Sequence, residues 1–269
     1  MNTLLAVDQA HITYGKGRRS FTAVQNVSFD VIEGRCLGLV GESGSGKSSL
    51  ARAIVGMVPL TAGRITLRGA PVQREPGPGG VQMIFQDPTA SLNPRRTLLD
   101  IVSEPLRIAG TPKATARSVA EAALHDVGLE ATTYGRRRPA EISGGQAQRV
   151  AIARAVTASP ALIVADEPVS GLDVSVQAGI INLLHNLSTR HGTSLLFISH
   201  DLSVIRTLCD DAVVLHQGTV KEEGPVESVL THPADPYTRE LIAAVPEPGK
   251  LLTPPTAGRT ETNVAHSLF

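Results

Sequence analysis

Gly41-Glu42-Ser43-Gly44-Ser45-Gly46-Lys47-Ser48 fits G-x-x-x-x-G-K-[ST], the spacing of a phosphate-binding loop. Glycines let such a loop curl until several backbone N–H groups face one anion, and a helix after Gly46 adds its positive end. Gly41, Ser43, Gly44, Gly46, Lys47, Ser48 and Ser49 are therefore expected around the phosphates of a nucleotide. Lys47 would reach the β- and γ-phosphates, and the Ser48 hydroxyl would ligate Mg²⁺. The apolar run 162–165 ends in Asp166-Glu167, two acids that cannot both be buried without a cation. Asp166 is expected to hold Mg²⁺ through water, and Glu167 to point at a nucleophilic water. His200 closes the apolar run 195–199, and Gln86 stands after 81–85, both where ligands bind in parallel sheets. His200 would hydrogen-bond the γ-phosphate, and Gln86 would touch both Mg²⁺ and the water. A histidine or glutamine at a strand end equally serves as a polar terminator, so only the company of the other motifs gives these two a role.

Ile142-Ser143-Gly144-Gly145-Gln146 is physically a second anion cradle. Small residues and a hydroxyl precede a helical run whose first N–H groups have no partner within the helix. One nucleotide needs only one cradle.

The elements that must position these groups can be read from periodicity. Residues 4–14 and 20–31 alternate apolar and polar across Gly15-Lys16-Gly17 and predict two antiparallel strands. Cys36–Val40 predicts a short buried strand, 49–57 a helix, and 65–68 and 81–85 further strands, with 71–80 a Pro- and Gly-rich loop. From 97 to 158 the pattern is helical. Val119, Ala123, Leu124 and Val127 share one face there, and Gly128 is placed to end the helix. Strand and helix then alternate: 161–165, 174–187, 194–199 and Leu202–Leu208, followed by short strands at 212–216 and 219–222. Val176, Ile180, Leu183 and Leu187 form a stripe, and Asp173 is placed to cap their helix. Short apolar strands separated by helices imply an α/β core around a parallel sheet, with an antiparallel edge from the N-terminus and a helical insert near 90–157. Residues 1–245 would form that domain, and 246–269, rich in Pro and Thr without periodicity, a loose tail.

Ile142-Ser143-Gly144-Gly145-Gln146, continuing Ala147-Gln148-Arg149-Val150-Ala151-Ile152-Ala153-Arg154-Ala155, resembles the signature sequence of the ABC ATPase family. The resemblance covers residues from about 5 to 246 and implies a P-loop NTPase (RecA-like) core of the ABC type. It also accounts for the second cradle. In that family the P-loop of one subunit and the signature of its partner enclose each ATP, so Ser143, Gly144, Gly145 and Gln146 would serve a neighbouring subunit's nucleotide. Tyr14 looks like the aromatic that stacks on adenine, although an aromatic on a strand also suits a core. Ser170-Gly171-Leu172-Asp173 resembles the loop through which paired subunits sense each other, which places Asp173 beside the shared nucleotide. The run from Gln86-Asp87-Pro88 to Arg95-Arg96-Thr97, with Val174-Ser175-Val176-Gln177 and His232-Pro233-Ala234-Asp235-Pro236-Tyr237-Thr238-Arg239, is similar to ATPases serving oligopeptide, dipeptide and nickel importers. The implied partners are a second ABC ATPase subunit, two transmembrane permease subunits that meet residues 87–96, and indirectly an extracytoplasmic solute-binding protein. The implied place is the cytoplasmic face of the cell membrane. Ile142 stands where leucine is usual, Ala147 where a basic residue is usual, and Gly171 where alanine is usual.

Composition agrees with a well-cored chain that does not coat nucleic acid. Of 269 residues 42% are hydrophobic and 19% charged, and Lys+Arg 25 balances Asp+Glu 25. Cys36 and Cys209 have no zinc or redox spacing and read as small buried hydrophobes, no cysteine follows to hold an iron–sulfur cluster, and the eight histidines show no ligand spacing. No secretion signal and no apolar run long enough to span a bilayer is expected. Arg136-Arg137-Arg138 reads as a solvated surface.

Overall fold

A computed structural model describes residues 2–72 and 79–244. The tail expected at 246–269, and most of the loop expected at 71–80, lie outside the described residues. The chain opens with β1 (Thr3–Tyr14) and β2 (Phe21–Ile32), then β3 (Cys36–Val40) and α1 (Lys47–Ile54). It continues through β4 (Ala62–Leu67), β5 (Ala70–Pro71) and β6 (Val81–Ile84). Helices follow: α2 (Pro88–Ser91), α3 (Leu98–Ile108), α4 (Lys113–Asp126), α5 (Ala131–Tyr134) and α6 (Gly144–Thr157). The second half runs β7 (Leu162–Asp166), α7 (Val174–His191), β8 (Ser194–Ile198), α8 (Leu202–Leu208), β9 (Asp211–His216) and β10 (Thr219–Pro225). It ends with α9 (Val226–Thr231) and α10 (Pro236–Ala243).

Two sheets result. The first is antiparallel, in the order β2-β1-β4-β5, and the second runs β10-β9-β3-β8-β7-β6 with every pair parallel except β9–β10. The period-2 alternation of the parallel strands explains why both faces are dry. Cys36 and Val40, Ile163 and Ala165, Leu195 and Phe197, Ala212 and Val214 face a core shared with α3, α4, α6, α7 and α8. Leu37 and Leu39, Leu162 and Val164, Leu196 and Ile198, Val213 and Leu215 face the other core, with α1 and the antiparallel sheet. Strand ends are thereby pinned from both sides, and the loops leaving their C-terminal ends converge.

Several elements depart from the sequence expectation, each for a local reason. The first helix starts at Lys47 rather than 49 because Gly46, at φ 106°, already serves as its N-cap. The 174–187 helix runs on to His191, where Gly192 in left-handed conformation ends it. Asp173 caps that helix as expected, accepting from Val176 N–H at 3.1 Å. Its buried stripe is Ile180, Leu184 and Leu187, with Val176 and Leu183 only partly covered. On α4 the buried face is small, built on Ala116, Ala120, Ala123 and Leu124, while Val119 is 41% exposed. Helices α9 and α10, neither of which the periodicity gave, close the described chain. Cys36 and Cys209 are both buried as expected, and their sulfurs lie 3.3 Å apart, a contact that sequence spacing could not show.

Candidate active site

The phosphate-loop pattern forms the turn between β3 and α1. Gly41 sits at φ 148°, where an added Cβ would come 2.1 Å from the Leu215 carbonyl oxygen, and at Gly46 it would come 2.4 Å from that of Ala23. Both positions need glycine because backbone from β9 and β2 leaves no room. From outside, Gly218 N–H donates to the Ser45 carbonyl at 2.9 Å. Lys47 is buried, and its Nζ donates to the carbonyls of Gly41 at 2.7 Å and Glu42 at 2.8 Å, with Ser45 Oγ at 3.4 Å. Burial lowers its pKa, while the charges of Glu167, Asp166 and Glu42 pull the other way. Ser43 and Gly44 are exposed at the tip of the loop.

Adjacent strands deliver the acids. Asp166 ends β7, is only 3% exposed, and accepts from Ser48 Oγ at 3.2 Å. Burial pushes its carboxyl above the usual range, and the Ser48 hydrogen bond opposes that push. Glu167 follows in left-handed backbone, φ 46°, with its N–H on the Ile198 carbonyl at 3.0 Å. That turn points its carboxylate between the two flanking strand ends. Gln86 Nε2, after β6, donates to Glu167 Oε2 at 3.0 Å, and His200 Nδ1, after β8, lies 3.4 Å from Glu167 Oε1. The imidazole is largely exposed, and the Glu167 carboxylate is not.

The donor set suits a hard cation. A hydroxyl (Ser48), a carboxylate (Asp166) and a side-chain amide oxygen (Gln86) are oxygen ligands of the kind Mg²⁺ takes. Among the described residues no group of three or more His, Cys, Asp and Glu forms a metal site. An ion held here would therefore complete its shell with water and phosphate oxygens.

Lys47, Ser48, Asp166, Glu167, Gln86 and His200 thus fall into one neighbourhood at the sheet's C-terminal edge. Tyr14, 38% exposed, donates its hydroxyl to Ser49 Oγ at 3.2 Å, which ties the end of β1 to the first turn of α1. The other expected residues assemble elsewhere. Ser143 caps α6: its Oγ accepts from Gln146 N–H at 3.3 Å, and Gln146 Oε1 accepts from Ser143 N–H at 3.0 Å. Gly144 lies beside Leu172, and at Gly145 an added Cβ would meet Val176 at 2.7 Å, so the 170–173 loop and α7 back this cradle. Asp173 is bonded to the Ser175 hydroxyl and the Val176 amide, which hold its carboxyl below the usual range. Ala147, where a basic residue was usual, is buried against the helical core. Sequence reasoning gave no role to Gly218 and Tyr237, both of which touch the phosphate loop from outside. The second stood in a motif noted above for its resemblance alone.

The chain matches the family model described as ABC transporter over residues 24–170. It is 45% identical over 239 residues to the oligopeptide transport ATP-binding protein of Escherichia coli strain K12, covering 86% of this chain and 71% of that one. An oligopeptide transport ATP-binding protein of Streptococcus mutans is 42% identical over 258 residues, 93% and 83% of the two chains. Among solved structures, a dimeric ATP-binding cassette in a post-hydrolysis state bound to ADP and Pi superposes with a TM-score of 0.74 at 28% identity. That match covers 83% of this chain and 99% of that one.

Proposed function

The chain belongs to the ABC transporter family, and from that premise we propose that it hydrolyses ATP, paired head-to-tail with a second cassette, to drive peptide import through separate membrane subunits. The observation that carries the proposal is the convergence of Lys47, Ser48, Asp166, Glu167, Gln86 and His200 at the C-terminal edge of one parallel sheet, while the Ser143–Gly145 cradle stands on other elements. A cassette so divided grips nucleotide only when a second cassette supplies the missing half.

In this mechanism the amides of the phosphate loop hold the β-phosphate, and Lys47 exchanges the carbonyls of Gly41 and Glu42 for phosphate oxygens. Bound Mg²⁺, held by Ser48, Asp166 and Gln86, would neutralise charge on the β- and γ-phosphates. Glu167 takes the proton of the attacking water, with Gln86 and His200 steering its carboxylate. The partner's Ser143 and the amides of Gly144 and Gly145 meet the γ-phosphate from the opposite side, and Tyr14 covers the base. The 90–157 helical segment acts as a subdomain that carries Ser143 toward its partner. Residues 87–96 meet the membrane subunits: Arg154 of the signature helix donates to the Ser91 carbonyl at 2.7 Å, joining that surface to the second cradle. Among the described residues no helix is long and apolar enough to cross a membrane. In this reading the cassette works from the membrane's cytoplasmic face because its relatives are transport ATP-binding proteins, with solute delivered by an extracytoplasmic binding protein. Peptides are the cargo that the relatives' names support.

Glu167→Gln keeps shape and removes the base. Turnover is expected to fall by about 10²–10⁴-fold while ATP binding persists, so that an ATP-bound dimer accumulates on size-exclusion chromatography. Parental turnover in that variant would remove Glu167 from the role of base.

A further inference from the structure

The run His232-Pro233-Ala234-Asp235-Pro236-Tyr237-Thr238-Arg239 takes no part in the chemistry above, yet the fold carries it back onto the phosphate loop. We propose that Tyr237 is a positioning residue: its hydroxyl fixes the peptide unit between Gly41 and Glu42 and so sets the loop's grip on the nucleotide's phosphates.

That peptide unit is held at both ends. Its carbonyl, from Gly41, accepts from Lys47 Nζ at 2.7 Å, and its N–H, from Glu42, donates to Tyr237 Oη at 3.3 Å. When Lys47 turns to phosphate it gives up the first contact, and the Tyr237 contact remains. Gly41 has no Cβ and sits at φ 148°, so no side chain of its own steers the peptide that follows it.

Tyr237 is itself fixed by three elements. Its ring packs on His216 at the end of β9, with centroids 3.8 Å apart and planes tilted by 36°. Its own N–H donates to Asp235 Oδ1 at 2.8 Å, the cap of α10. The Glu222 carboxylate on β10 accepts from Ala234 N–H at 2.8 Å and Asp235 N–H at 3.1 Å, which anchors the preceding turn. Burial raises the phenol's pKa above its usual value, so the group at this position is a neutral hydroxyl at neutral pH, and its oxygen accepts the Glu42 N–H.

Tyr237→Phe removes one oxygen and leaves the ring on His216. In the full chain, the dissociation constant and KM for ATP are expected to rise about threefold to tenfold, because a loop no longer preset must be ordered on binding, with kcat within about twofold and Tm lower by at most a few degrees. Unchanged ATP affinity would overturn the proposal, and so would a lower Tm with kcat falling alongside, since that pattern belongs to packing. Because the proposal rests on the ATP reading above, parental chain is titrated in parallel. A parent that binds no ATP overturns that reading, whereas parent and variant binding ATP alike overturns only this one.

Discussion

Asp166 carries its charge where charge is costly. Burial pushes its carboxyl above the ordinary 3.8, against the pull of the Ser48 hydroxyl and of nearby cations. A carboxyl with a raised folded pKa is held more easily in its protonated form. The fold therefore loses stability as pH climbs from the unfolded value through the folded one, and bears the full cost at neutral pH. Asp166→Asn removes the charge in the same shape. In thermal melts at pH 7 the ligand-free variant should melt above the parent, the two should converge as pH falls below 3.8, and Mg²⁺-dependent hydrolysis should be lost. A variant melting below its parent at pH 7 would mean that the carboxylate is a stabilising partner and not a reserved ligand. Lys47, Ser48, Asp166 and Glu167 were legible in the sequence because their chemistry lies in contiguous runs. The left-handed turn that aims Glu167, and the Tyr237 hydroxyl on the Glu42 amide, depend on strands brought together from far apart, and no local spacing encodes them.

Between elements, the tightest constraint on the second cradle is the approach of α6 to α7. At Gly145 an added Cβ would stand 2.7 Å from Val176 Cγ1, closer than packed carbons tolerate. Gly145→Ala therefore forces the start of α6 off α7, an overpacking that costs about 1–3 kcal/mol and displaces Ser143 with it. Val176→Ala opens the room that the new methyl needs. The double variant should recover both Tm and ATPase rate lost in Gly145→Ala, a coupling that double-mutant analysis reads directly; strictly additive losses would place the constraint elsewhere. The neighbouring Gly171 sits at φ 75°, a backbone that costs alanine roughly 1–2 kcal/mol, which accounts for glycine where the resemblance led one to expect alanine. The strands around these helices were legible: β3, β7 and β8 fall within a residue or two of the apolar runs that announced them, because a strand buried on both faces must be apolar throughout. Helices α9 and α10 were not. Six and eight residues give too few turns for periodicity to register, and tertiary contacts such as Glu222 with the Ala234 amide hold the turn that leads into α10.

At the scale of the whole molecule, one chain carries two glycine-led helix starts, the phosphate loop and the Ser143 turn, with different neighbours. The resemblance already assigned the two motifs to different nucleotides; what no local spacing gives is the set of sheet crossovers that brings Lys47, Asp166 and Glu167 to one edge. Lys47, Asp166 and Glu167 share one edge, and Ser143 is spent on capping its own helix. If two copies pair about a twofold axis, every nucleotide lies between the phosphate loop of one and Ser143 of the other. Damage in the two cradles then becomes separable. A Lys47→Ala pair has no competent phosphate loop, and a Ser143→Arg pair has no competent second cradle, so each alone should be inactive. In a mixed pair both lesions fall in the same site, and the other site draws its phosphate loop and its Ser143 from undamaged copies. Random pairing of equal amounts makes half the dimers mixed with one intact site each, so mixing should restore about a quarter of parental hydrolysis. The measurement is steady-state phosphate release against mixing ratio, peaking at equal amounts. A mixture as dead as its components would mean that the nucleotide is not held between two copies of this chain.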